Sequence, residues 1–162
     1  MTAAPPPGPE LAQARRRAFM GIFAILATAS AIGGYLVVRE SRARALQVDG
    51  ALRVAAWGLL CYADEERAWP PSAESFGAWA KDRVACAQAG AGQGWPKDAP
   101  ADCAQITLSQ ALGMTAVSVD PEGSGPPVLS GGGKPSSVGT LEIVNGWIRA
   151  RADAGFVAHS AP

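Results

Sequence analysis

The hydrophobic pattern of the chain begins with an unbroken run. Ala18–Val38, AFMGIFAILATASAIGGYLVV, holds 21 consecutive residues without a charge, close to the ~20 apolar residues an α-helix needs to cross a bilayer's hydrocarbon core. A helix closes its backbone hydrogen bonds internally, so lipid meets no unpaired polar group. Beyond the run the pattern turns amphipathic. Val48, Leu52, Ala55, Leu59 and Tyr62 recur at helical spacing on one face. Leu46, Trp57 and Leu60 lie on nearly the opposite side, near Arg53 and Asp64. The spacing predicts that the same helix continues through Arg39–Asp64 as a spine apolar on two faces, either central in its domain or shared with a partner. Gly50 and Gly58 each weaken it by ~1 kcal/mol relative to alanine. Trp69-Pro70-Pro71 is the expected stop, because proline cannot continue the ladder.

The next segments are shorter. Ser72 is a good N-cap with Glu74 favourably placed in the first turn, predicting a helix to about Gln88 with an apolar stripe of Phe76, Trp79, Ala80, Val84 and Ala87. Asp102 with Gln105 three residues on reads as a capping box for a third helix, with Ala104, Leu108, Ala111 and Leu112 inward and Gly113 as its stop. Then the period drops to two. Thr115–Val119 reads as a strand and Asp120–Ser137, rich in Gly and Pro, as a long loop. Thr140–Val144 and Trp147–Ala152 flank Asn145-Gly146, the preferred type I′ hairpin turn. That turn pairs Glu142 with Arg149 on one face and gathers Leu141, Ile143, Ile148 and Ala150 on the other. Phe156–His159 follows as a further strand, completing an antiparallel meander.

The fold expected is α+β: a long N-terminal transmembrane helix continuing into a small head of two short helices and a C-terminal antiparallel β-meander. Its parts are a disordered basic tail at 1–17, the span at 18–38, a membrane-proximal helical spine at 39–66 and the head at 67–162. Composition adds little beyond this. Formal net charge is zero, with 14 basic and 14 acidic side chains, and no basic stripe interleaved with aromatics supports nucleic-acid binding. Arg15-Arg16-Arg17 before the span is matched by Arg39, Arg42 and Arg44 after it, so the basic count leaves orientation weakly encoded. The contiguous leading arginines and the short tail favour a cytoplasmic N-terminus, a bacterial inner-membrane location and a periplasmic or extracellular head. Two export signals compete with a retained anchor. Ala29-Ser30-Ala31 forms an A-x-A-like cleavage site, and Arg16-Arg17-Ala18-Phe19-Met20 resembles a twin-arginine core.

Candidate chemistry is sparse. Of Cys61, Cys86 and Cys103, the last two bracket a Gly/Pro-rich stretch, and a bridge between them would contribute about 3 kcal/mol in the loop-entropy model. Three buried thiols, or a bridge through Cys61, are the alternatives. The single histidine, His159, has no evident nucleophile or carboxylate partner, so no catalytic residue is assigned. No C-x-x-C pair points to metal, and no cofactor is expected. Asp64-Glu65-Glu66 is an acidic cluster at a helix end, read as solvated in preference to a cation site. Gly131-Gly132-Gly133-Lys134 lacks the spacing and following helix of a phosphate-binding loop. In the hairpin register Val144 and Trp147 fall together on the polar face, a candidate contact surface.

The order of parts resembles the type IV pilin and type II secretion pseudopilin superfamily. Arg15-Arg16-Arg17-Ala18-Phe19 looks like the leader junction, with Ala18 and Phe19 flanking the cleavage point. Ala43–Tyr62 looks like the second half of the pilin spine, and Tyr62-Ala63-Asp64 through Trp69-Pro70-Pro71-Ser72 like the helix exit of many pseudopilins. The resemblance implies a non-enzymatic protein acting through assembly or protein contact, with the bilayer and other protein subunits as partners through the N-terminal helix. Two positions depart from the pattern. Ala18 stands where the family usually has glycine, and Phe23 stands where it carries its characteristic glutamate.

Overall fold

The computed structural model describes residues 9–81, 83, 95–97, 99–120 and 125–155. It divides into two compact units, Met1–Arg42 and Ala43–Pro162. One helix, α1 (Pro9–Glu66, 58 residues), contributes to both. In the first unit the apolar run of α1 buries none of its residues, and Phe19 is 75% exposed. One helix of the described chain is long and apolar enough to cross a membrane, and it is this one.

In the second unit, the head, α1 is the core. Leu52, Val54, Ala55, Ala56, Trp57, Leu59 and Leu60 are all essentially inaccessible. Apart from Leu46, which stays exposed, both apolar faces foreseen from the spacing are covered within the head, and the spine is central. The helix ends before the prolines, at Glu66, because Arg67 takes a left-handed φ of 55°. The two glycines that cost helix propensity mark close approaches. A Cβ on Gly50 would lie 2.8 Å from an Asp102 carboxylate oxygen, and one on Gly58 would lie 2.5 Å from Leu108 Cδ1.

Around this spine pack α2 (Ala73–Ala80), α3 (Leu108–Leu112), α4 (Thr140–Ala154) and an antiparallel pair of strands, β1 (Ala116–Ser118) and β2 (Val128–Ser130). Ser72 caps α2 as expected and forms a reciprocal box with Ser75. Phe76 and Ala80 point inward. The helix stops at Ala80, and Val84, Ala87 and Gln88 lie outside the described residues. Ahead of α3 the expected cap moves. Ala101–Ala104 is a 3-10 turn with Ala104 exposed, and the capping box belongs to Thr107 and Gln110. Asp102 is engaged elsewhere, accepting from Arg53 Nε at 2.7 Å. Gly113 does end α3. The strand expected at Thr115–Val119 is present as β1, and its partner β2 arises inside the stretch expected to be loop.

The largest correction concerns the C-terminal third. Thr140–Ala154 is the helix α4, not a hairpin, so the expected meander is absent there, and Phe156–His159 lies outside the described residues. Leu141, Val144, Ile148 and Arg151 recur at +3, +4 and +3 and turn toward the core, with Val144 and Ile148 fully buried. Gly146 sits on the exposed face, where its added Cβ would meet nothing. Asn145 has a different task from turning the chain. Its amide accepts from Leu129 N–H at 2.8 Å and donates to Leu129 C=O at 3.0 Å and to Leu141 C=O at 2.9 Å. The side chain thus completes the outer edge of β2. The head is a mixed helical fold built on one long helix, with a two-stranded antiparallel sheet.

Candidate functional site

The acidic cluster at the end of α1 is where charge concentrates, and arginines answer it. Asp64 accepts from Arg151 Nε at 2.9 Å, from Arg151 Nη2 and from Trp95 Nε1 at 2.9 Å. Arg151 is only 7% exposed and also donates to Gly155 C=O at 2.7 Å. This network ties the end of α1 to the end of α4 and to the Trp95 segment. A buried guanidinium needs such satisfaction, since an unpaired charge in the interior is costly. Next to it Glu65 forms a bidentate pair with Arg83, whose guanidinium lies 4.4 Å from the Trp79 ring centroid. The hydrogen bonds from Arg83 hold the Glu65 carboxyl below the usual carboxylate range. Among the described residues no group of three or more His, Cys, Asp or Glu side chains is arranged to hold a metal ion.

Cys61 lies one turn before this cluster. Burial, reinforced by Asp64 and Glu65, pushes its thiol up to about 12. A thiol so protonated is chemically quiet, because the thiolate is the nucleophile. Cys103 is disulfide-bonded, whereas Cys61 retains its thiol. The reading of three buried thiols therefore fails, and Cys86, which with Cys103 makes one of the bridges the sequence allows, lies outside the described residues, as does His159.

A second polar feature sits near the start of the head. Asp49 is 2% exposed and accepts from Ser137 N–H at 2.8 Å, fastening the segment before α4 to α1. Close by, the glycine run that lacks the phosphate-loop spacing has a structural task. Gly132 and Gly133 take φ of 59° and 80°, the two positive values a type I′ turn requires, and Lys134 N–H closes the turn onto Gly131 C=O at 3.0 Å. A Cβ on Gly131 would lie 2.7 Å from Lys134 O. The turn delivers Lys134 Nζ to Gly113 C=O at 3.1 Å, at the end of α3.

Two shallow cavities adjoin this corner and share Gln47 and Met114. One, of about 480 Å³, is completed by Ile106, Gln110 and Gly113. The other, of about 360 Å³, is completed by Arg44, Val48, Lys134 and Pro135. The first is lined by apolar and amide side chains, and the second adds the basic Arg44 and Lys134.

The sequence-derived sites fall in separate places. Ala18, Phe19, Ala29, Ser30 and Ala31 lie on the exposed apolar stretch of α1. Val144 is fully buried and Trp147 half-buried in α4, so they do not form the exposed contact pair expected from the hairpin register. Sequence reasoning missed the Asp64–Arg151 network and the cavity corner, whose members stand far apart in the chain. Comparison with known proteins adds no relative: no protein-family model, no curated protein and no solved structure matches the chain.

Proposed function

We propose that this chain is a non-enzymatic, single-pass membrane protein of the bacterial envelope, with a cytoplasmic N-terminus and an exported head that acts through protein contact. One observation carries the reading. A 21-residue uncharged stretch, fully exposed in the chain itself, belongs to the same helix whose later turns form the core of a folded head. The exposed stretch wants a covering that the described residues do not supply, and its length suits a bilayer. Disulfide-bonded Cys103 fits an oxidising compartment for the head.

A second reading keeps the same anchor and adds assembly into a pseudopilin-type filament. The continuous helix favours it, while Ala18 and Phe23 stand at the two family positions that differ. A twin-arginine-exported protein is a third. Intact mass of the membrane-purified protein separates them. An unprocessed chain supports the plain anchor. A start at Phe19 moves the assignment to prepilin processing and assembly. A start at Ile32 means signal-peptidase cleavage and overturns the anchored reading.

A further inference from the structure

The N-terminal part of α1 carries a charge pattern that spanning a membrane does not by itself require. Arg15, Arg16 and Arg17 are consecutive and exposed, and among the described residues none of them has an ion-pair partner. Gln13, Arg16, Arg17 and Met20 stand three and four residues apart on one helix face, where they line a shallow cavity of about 410 Å³. No acidic residue occurs from Gln13 to Val38. Toward the run the same face turns apolar, with Met20 68% and Phe23 67% exposed. The other end of the run differs. There Arg39 and Arg42 flank Glu40, and Glu40 and Arg44 already have partners. These residues all belong to one continuous helix, so their spacing along its axis is fixed. At 1.5 Å per residue Ala18–Val38 is about 31 Å long, which fills a hydrocarbon core of ~30 Å. Arg15–Arg17 then stand within about 5 Å of its boundary, at the level of the headgroups.

We propose that Gln13, Arg16, Arg17 and Met20 form a binding site for an anionic phospholipid, in the leaflet at the N-terminal end of the span. The lipid phosphate lies between the two guanidinium groups, whose forked N–H donors suit its oxygens, with the Gln13 amide as a further donor. The first methylenes of the acyl chains run along Met20 and Phe23. Two guanidinium groups with no carboxylate beside them keep a positive charge to offset, which favours an anionic lipid over a zwitterionic one. Free inorganic phosphate would meet that charge but leave Met20 and Phe23 bare, which is why the lipid is the occupant chosen. The inference rests on the reading of Ala18–Val38 as an anchor and uses no residue of the head.

The test uses the full chain in phosphatidylcholine nanodiscs doped with phosphatidylglycerol or, separately, phosphatidylcholine, each bearing a photoactivatable group at the start of one acyl chain. Labelled peptides are mapped by mass spectrometry. The ratio of phosphatidylglycerol to phosphatidylcholine labelling should be several-fold higher over Gln13–Phe23 than over Tyr35–Arg42. Arg16→Gln should lower the ratio at the first segment about fivefold, the scale of one basic side chain at an anionic surface, and Arg16→Lys should keep most of it. The near-UV spectrum of the tryptophans, all five of which lie in the head, verifies that each variant is folded. Equal ratios at the two ends, an unchanged ratio in Arg16→Gln, or displacement by inorganic phosphate beyond that by chloride at equal ionic strength would each overturn the proposal. A membrane-purified chain that starts at Phe19 lacks both arginines and would overturn it too. A chain that inserts but shows no preference between the lipids sinks this inference alone. A chain that is not retained in the nanodisc sinks the anchor reading with it.

Discussion

Residues 18–38 and 48–63 of α1 are both long apolar stretches of one helix, and they live in opposite surroundings. The first has none of its side chains buried, whereas the second has nearly all of them inaccessible under α2, α3, α4 and β2. Hydrophobicity alone does not separate them. What separates them is the later sequence: Phe76, Leu108, Leu129, Val144 and Ile148 arrive to cover the second stretch, and no described residue covers the first. Apolar surface left open in this way marks an interaction with another phase or molecule.

Substitutions in the two stretches should therefore differ most in the folding of the head. Trp57→Ala should destabilise the head by about 4 kcal/mol, the cost of an emptied aromatic site in a packed core. Phe23→Ala should leave it unchanged. Denaturant titration of the full chain in detergent, followed by near-UV dichroism, reads both, and equal effects would break the contrast. Asp64→Ala should cost about 3 kcal/mol by leaving Arg151 buried without its carboxylate, with recovery in the Asp64→Ala, Arg151→Met double variant. Asn145→Ala, which orphans the Leu129 backbone pair, should cost about 2 kcal/mol in the same titration.

Glycine gives a finer discriminator. Gly58→Ala must push against buried Leu108, so overpacking of about 1–3 kcal/mol outweighs the ~1 kcal/mol gained in helix propensity. Gly33→Ala meets nothing and should leave head stability where it was. The smallest effect is in pH. Burial pushes the Cys61 thiol up to about 12, above the ordinary thiol value near 9, so the folded state holds the proton more tightly. Its contribution is complete below pH 9 and declines as pH rises from 9 toward 12. Maleimide should leave Cys61 unlabelled in the native protein and label it in denaturant; labelling of the native head would contradict this burial.

The helix through the first two-fifths of the chain was legible because its signals are local. An uncharged run, a 3.6-residue period and the Ser72 cap each need only neighbours in sequence. The C-terminal third misled for the same reason. Asn145-Gly146 carries a strong local turn preference, and short runs on either side fit a period of two. The competing stripe of Leu141, Val144, Ile148 and Arg151 fits a helix and passes straight through that dipeptide. Tertiary cover decided between them, since α4 buries Val144 and Ile148 while placing Gly146 outward. Asp102-x-x-Gln105 fits the capping-box spacing as well as Thr107-x-x-Gln110, where the box forms. Only the remote partner Arg53 removes Asp102 from that choice. The Asp64 cluster was legible as acidic but not as satisfied, because Arg151 is 87 positions away.

The amide of Asn145 has one more consequence. By occupying both backbone groups of Leu129, it acts as a stopper on the growing side of a very short sheet. A single plugged residue at that edge limits templated pairing with another strand, so the same side chain that seats α4 also blunts the open edge of the sheet.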